Sequence, residues 1–244
     1  MTQVDAIPST AIYWKPAHRI IRSLFPPIHL FEDIADPADW ADIISAEQKT
    51  NPRLMEDVGN LALIPQERRV GGPGATYLMA SFTHFSPDRP SRFSDGSFGV
   101  LYAGNSIEVA LLETMHHHGL FMARTNEPPG WTSQFREIVL TIDAKLHDLR
   151  GLTMSDPAVF HHQDYSASQV LALQLRAANS NGVVYPSQRS PGGECVGLFY
   201  PDQAKDPVQG RHFDYHWNGQ EVDLVRNLAT NEVQRIRGER SPLP

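Results

Sequence analysis

The chain has a single cysteine, Cys195, among its 244 residues. An intramolecular disulfide is therefore closed to it, and the thiol pairs that hold structural zinc are missing. Long apolar runs are also missing, and none approaches the ~18 residues that a membrane-spanning helix needs. Positive charge is in deficit: 21 Lys and Arg against 28 Asp and Glu give a formal net charge of −7. A general nucleic-acid binder normally carries the opposite balance, so direct nucleic-acid binding is not expected. A local basic pocket for one phosphate-bearing ligand is still compatible with that charge. Met1 to Thr10 has neither a basic stretch nor an apolar one, so no signal peptide is read there and a cytoplasmic setting is expected. Neither His-Glu-x-x-His nor Gly-x-Gly-x-x-Gly occurs.

What is present is an ordinary globular composition, 41% hydrophobic and 20% charged, long enough for one large domain or one domain with an extension. Residues 1–18 read as irregular, with Pro8 and Pro16, and a strand or its approach follows from His18 to Leu24. Asp36-Pro37 is a helix start, and a helix to about Lys49 would bury Trp40, Ile43 and Ile44. Residues 53–75 read as loop with a short helix at most, and Thr76–Phe82 as a strand or a short helix. Phe135–Ile142 alternates as a half-buried strand, with a second short strand at Lys145–Asp148. Ser166 and Gln169 form a capping box for a helix to Ala178 that would bury Val170, Leu171, Leu173 and Leu175. From Pro201 the chain reads as a polar tail with a regular element near Glu221–Leu228. The division expected is an N-terminal extension with one helix (1–60), a core (61–205) and a C-terminal tail (206–244).

One stretch stands out. From Arg92 a Gly-rich turn leads into a short apolar strand, Gly99–Ala103, that carries Tyr102. A helix then opens at Ser106 and carries Glu113 beside its apolar stripe, with Val109, Leu112 and His116 close to the same face. A cation, a phenol and an acid thus share one strand–turn–helix unit, a plausible way to hold an anionic substrate against a carboxylate. Taken singly, each has a bland reading: a loop arginine, a core tyrosine with a wetted hydroxyl, a boundary acid paired with an arginine. A second stretch, residues 181–199, reads as two buried strands, Val183–Tyr185 and Cys195–Phe199. The loop between them carries Ser187, Gln188, Arg189 and two glycines. Cys195 reads as a small core residue. His116, His117 and His118 project in three directions from a helix, so no metal site is read from them or from His161 and His162.

These two stretches, in this order, resemble the RES domain, a family named for its Arg, Glu and Ser and known chiefly as NAD-degrading toxins held in check by a helix-turn-helix antitoxin. The resemblance covers roughly residues 15–205. It implies an α+β fold, a single mixed domain whose core is a split pair of small sheets similar to that of ADP-ribosyltransferases, with a cleft for NAD. Carried over residue by residue, it implies catalytic roles for Arg92, Glu113 and Ser187, and substrate contacts from Tyr102, Arg189 and a further arginine near the start of the domain. Arg19 fits that further position best, with Arg22 and Arg53 as rivals. Ser187 is read as a hydrogen-bonding group and not as a nucleophile. NAD would be the substrate, inorganic phosphate or water the acceptor, and no metal or prosthetic group is implied. An antitoxin protein is the partner implied, and self-association as a homodimer is left open. Two other readings stand beside this one: an ADP-ribosyltransferase acting on a macromolecule, and a non-catalytic interaction module.

Overall fold

The computed structural model describes residues 6–24, 59–152 and 156–235. Two long strands organise it. β1 (Ser9–Arg22) and β3 (Thr132–Asp148) run antiparallel, from Ser9 opposite His147 to Arg22 opposite Phe135. The irregular reading is corrected from Ser9 onward. Pro16 does not end β1 because it falls at the register shift between Trp14 and Ala17, where the ladder is already interrupted. β3 is one strand where two were expected. Asp143 and Lys145 point outward while Ala144 and Leu146 are buried, so the alternation passes through the expected break.

The other strands are β2 (Leu101–Gly104), β4 (Gly182–Pro186), β5 (Glu194–Leu198), β6 (Ala204–Trp217), β7 (Val222–Asn227) and β8 (Val233–Arg235). Pairing runs from β1 to β2, β5, β4 and β3, and β3 returns to β1, so five strands close a circuit. From β3 the sheet continues through β6 and β7 to β8. The α+β class is as expected. The small sheets implied by the resemblance are joined into one, because β1 and β3 are long enough, at 14 and 17 residues, to serve both ends.

The expected C-terminal tail is a correction. Residues 204–235 supply three strands, and Phe213, Tyr215 and Trp217 all point into the core. Their period-two spacing, followed by Asn218-Gly219 at the turn into β7, is a hairpin pattern. Gly219 takes a φ of +97°, which that turn requires. The helix expected at 36–49, with Trp40, Ile43 and Ile44, lies outside the described residues, as does Arg53.

Among the described residues, three α-helices pack on this frame. α1 (Ala75–Thr83) settles the ambiguity at 76–82 as helix and buries Leu78, Met79 and Phe82 against Leu101, Ile138 and Leu140. α2 (Ile107–Met122) buries Ala110, Leu111, Met115 and Met122 against Phe135, Phe213 and Tyr215. α3 (Ser166–Ala177) buries Leu171, Ala172 and Leu175 against Phe93, Val183 and Phe199. Val170 and Leu173, expected inside, are each 40% exposed, because the buried stripe runs 168, 171, 172, 175 and leaves them on its flank. Ser166 is the first helical residue rather than the cap. Asp164 accepts its amide at 2.9 Å, and Gln169 donates away from the helix to the carbonyls of Ser91 and Ser94. Truncating a fully buried side chain such as Leu140 to Ala would cost about 2–5 kcal/mol.

Candidate active site

α2 starts where β2 ends. Ser106 caps it as expected, its hydroxyl accepting the Val109 amide at 3.2 Å. Seven residues further on, Glu113 stands half-buried at the edge of the apolar stripe and faces the loop between β4 and β5. Its Oε1 accepts the Ser187 hydroxyl at 2.6 Å and the Gln188 amide at 3.1 Å. Among the described residues no hydrogen bond reaches Oε2. One carboxylate oxygen is thus anchored and the other is left without a protein partner among the described residues.

The β4–β5 loop is built to hold that anchor. The Ser187 amide donates to the Gly193 carbonyl at 2.8 Å, and the Ser187 hydroxyl accepts the amides of Arg189 and Ser190 at 3.1 and 3.0 Å. With both lone pairs taken, the hydroxyl proton is directed to Glu113. Gly193 lets the loop lie close on α2, since a Cβ there would come within 2.4 Å of Val109. Ser187 therefore sits in a hydrogen-bonding position, with no histidine among the described residues bonded to it. Cys195 lies behind, its sulfur 4.0 Å from Glu113 Oε1, and burial followed by the Glu113 charge pushes its thiol well above the usual range. That makes it a poor nucleophile.

Two guanidinium groups belong to the same cluster, and Arg189 feels the Glu113 charge. Arg92 is buried and donates to the carbonyls of Val159 and His161 at 3.3 and 3.1 Å, with its head group 4.5 Å from the centre of the Tyr165 ring. Arg189 donates to His116 Nε2 at 2.8 Å and to His162 Nδ1 at 2.9 Å. The charge of Arg92 is felt at His116, His162, Tyr102, Tyr185 and Cys195, and that of Arg189 at His116 and His162. Two cations against one carboxylate in this cluster leave a net positive field, suited to an anionic ligand.

Tyr102 acts on Arg92 from below. Its hydroxyl bonds Ser91 Oγ at 2.8 Å and accepts the Phe93 amide at 2.9 Å, so it grips the turn on both sides of Arg92. Burial pushes the phenol up to about 12, which keeps it protonated. Arg19 donates to the Tyr102 carbonyl at 3.1 Å, and burial of its head group lowers its pKa to about 10. It adjoins the Glu113 cluster through β2 without bonding to it. Arg22 is turned away, 5.5 Å from the Phe135 ring in the core beneath α2.

The structure thus brings Arg92, Tyr102, Glu113, Ser187 and Arg189 together and sets Arg19 one strand away. Tyr165, His116 and His162, to which no site role was given, belong to the same cluster. His116 follows Glu113 by three residues, and that spacing was the available signal. His118 points elsewhere, stacked on Phe121 and edge-on to Phe135, with burial lowering its pKa to about 4. No three metal-ligating side chains converge among the described residues.

Fold and site together define an α+β domain with an anchored carboxylate in a cluster that also holds two arginines. Residues 66–218 match the RES domain, and the chain belongs to that family. The protein y4oC of Sinorhizobium fredii (strain NBRC 101917 / NGR234), described as uncharacterized, is 25% identical over 220 residues, 89% of this chain and 90% of the relative. Among solved structures, the M. tuberculosis MbcT-MbcA toxin-antitoxin complex aligns with a TM-score of 0.45 and 11% identity, over 85% of this chain and 89% of that one.

Proposed function

We propose that the protein degrades NAD by cleaving the bond between nicotinamide and ribose, transferring the ADP-ribosyl group to inorganic phosphate or to water, and that it is a toxin restrained by an antitoxin protein. Membership of the RES family and the relation of Glu113 to its surroundings support this reading. The carrying observation is a carboxylate with Oε1 fixed by Ser187 and the Gln188 amide, Oε2 unbonded among the described residues, and Arg189 near enough to feel its charge.

In the reaction the C1′–N bond breaks and its electron pair goes to the nicotinamide nitrogen, which becomes neutral. Positive charge develops on the ribose, shared between C1′ and the ring oxygen. A fixed carboxylate stabilises that charge more than it stabilises the ground state, which is the condition for catalysis. Because Oε1 is anchored before substrate arrives, little reorganisation is required of Glu113. An oxygen of phosphate or water then bonds C1′. With water, the released proton passes to Glu113 or to solvent. Arg92 and Arg189 serve the pyrophosphate, and one of them serves the incoming phosphate where phosphate is the acceptor.

The test is to incubate the purified protein with NAD in phosphate and in phosphate-free buffer and to identify the products by mass spectrometry. Free nicotinamide is expected in at least one buffer, accompanied by ADP-ribose or its 1″-phosphate. Intact NAD in both buffers, from protein freed of bound partner, would overturn the reading. ADP-ribose attached to a macromolecule would replace it with a transferase.

A further inference from the structure

The loop from Ser187 to Ser190 stands on α2 with two feet. One is the Ser187 hydroxyl and Gln188 amide on Glu113, and the other is the Arg189 side chain on His116. Glu113 and His116 are three residues apart, so both feet rest on one helix face. A guanidinium only donates, so His116 Nε2 and His162 Nδ1 must both present lone pairs to Arg189. The ring proton of His116 is thereby confined to Nδ1. Arg189 also donates to the His162 carbonyl at 3.3 Å, and the Tyr165 hydroxyl lies beside it.

We infer that His116 is a positioning residue of this site, which acts by holding Arg189 through an unprotonated Nε2 while His162 steadies the other side of the same guanidinium. The inference rests on the proposed NAD-degrading reading for its kinetic consequence, but not for its geometry.

Three observations carry it. First, a side chain as long as arginine swings freely unless its head group is bonded on more than one side, and here two imidazoles from different elements grip it. Second, the surroundings favour a neutral imidazole at position 116. Burial lowers its pKa most, followed by the charge of Arg189, with His117, Arg92 and His162 adding, down to about 3. Glu113, on the same helix, bonds Ser187 and Gln188 rather than His116, and Asp164, in the loop of His162, bonds the Ser166 amide. Third, His116 has no competing task. It packs edge-on to His117 at 5.4 Å between ring centres and joins no metal cluster among the described residues. With both imidazoles neutral, Arg189 keeps its full charge for a phosphate group.

The test combines variants with a tautomer measurement. His116→Ala should lower kcat/KM for NAD by about 10-fold or more, on the scale of a misplaced binding group, with KM rising and the melting temperature nearly unchanged. His116→Gln, whose amide oxygen can reach the same donor, should recover most of the loss. In an Arg189→Ala background, His116→Ala should change almost nothing further. Independently of turnover, ring nitrogen shifts of His116 at neutral pH should show Nδ1 protonated and Nε2 bare, and this preference should weaken in Arg189→Ala. Additive losses in the double variant, His116→Gln no better than His116→Ala, or a protonated Nε2 would each overturn the inference. If the wild-type protein leaves NAD intact, the enzymatic reading falls, while the nitrogen shifts still decide whether His116 holds Arg189.

Discussion

The Ser187 hydroxyl meets Glu113 Oε1 at 2.6 Å across 74 residues of sequence, and it accepts two backbone amides while it donates. This bond joins the two halves of the site, the β2–α2 unit and the β4–β5 loop, into one object. Its hydroxyl cannot rotate without giving up a partner. Glu113 is consequently held through one oxygen only among the described residues.

Ser187→Ala removes that constraint. Glu113 Oε1 would keep the Gln188 amide, and the amides of Arg189 and Ser190 would lose their acceptor. NAD turnover should fall by about 10-fold or more, on the scale of a misplaced catalytic group. Fold stability should fall by about 1–3 kcal/mol, since two part-buried amides lose their acceptor. Steady-state kinetics with a urea titration check this. Normal turnover with a large loss of stability would reduce Ser187 to a loop fastener.

Tyr102→Phe addresses Arg92 without touching it. The substitution leaves the ring and removes the hydroxyl that bonds Ser91 and the Phe93 amide. Stability should drop by about 1–3 kcal/mol, since a half-buried amide loses its partner. KM for NAD should rise as the Arg92 turn loosens. A variant with unchanged KM, measured well below its melting temperature, would mean that the turn is held in place without Tyr102.

Stability should decline steadily as pH falls from 7 to 4. His116 is lowered from 6.5 to about 3 and His118 to about 4, in both cases chiefly by burial. Between the unfolded and folded values the unfolded chain takes up protons that the folded one refuses, so stability present above pH 6.5 is lost below it. Glu137 adds to this below about pH 4.5. Burial alone would raise its pKa, but hydrogen bonds from His18 and Arg211 and the Arg211 charge bring it down to about 2. Its contribution is full above 4.5 and lost as pH falls toward 2. Melting temperatures across this range provide the check, and a flat or rising profile would contradict the assignment. His118→Phe should flatten the portion between pH 6.5 and 4.

Much of the site was legible because its parts are local. Ser106 before an apolar helical stripe gives the start of α2, and the spacing from Ser106 to Glu113 places the acid at the edge of that stripe. Ser187 is readable as a loop residue because Tyr185-Pro186 and Cys195 bracket it with strands. What escaped was long-range. Arg189 meets His116 and His162 over 73 and 27 residues, and no local period encodes that meeting. The first half of β1, before His18, was missed because proline usually ends a strand and Pro16 happens to sit at a register shift. β6 was missed because its first half, around Lys205 to Arg211, is polar and exposed. Only Phe213, Tyr215 and Trp217 carry the alternation.

The most direct measurement is made on Glu113→Gln, which keeps the size and most of the hydrogen-bonding capacity of Glu113 but not its charge. If the carboxylate stabilises positive charge developing on the ribose, kcat for NAD should fall ~10²-fold or more, roughly 3 kcal/mol, with KM changed less and the melting temperature nearly constant. A variant that melts normally and turns over NAD at the wild-type rate would contradict the account. So would one that is strongly destabilised while its folded fraction keeps normal activity.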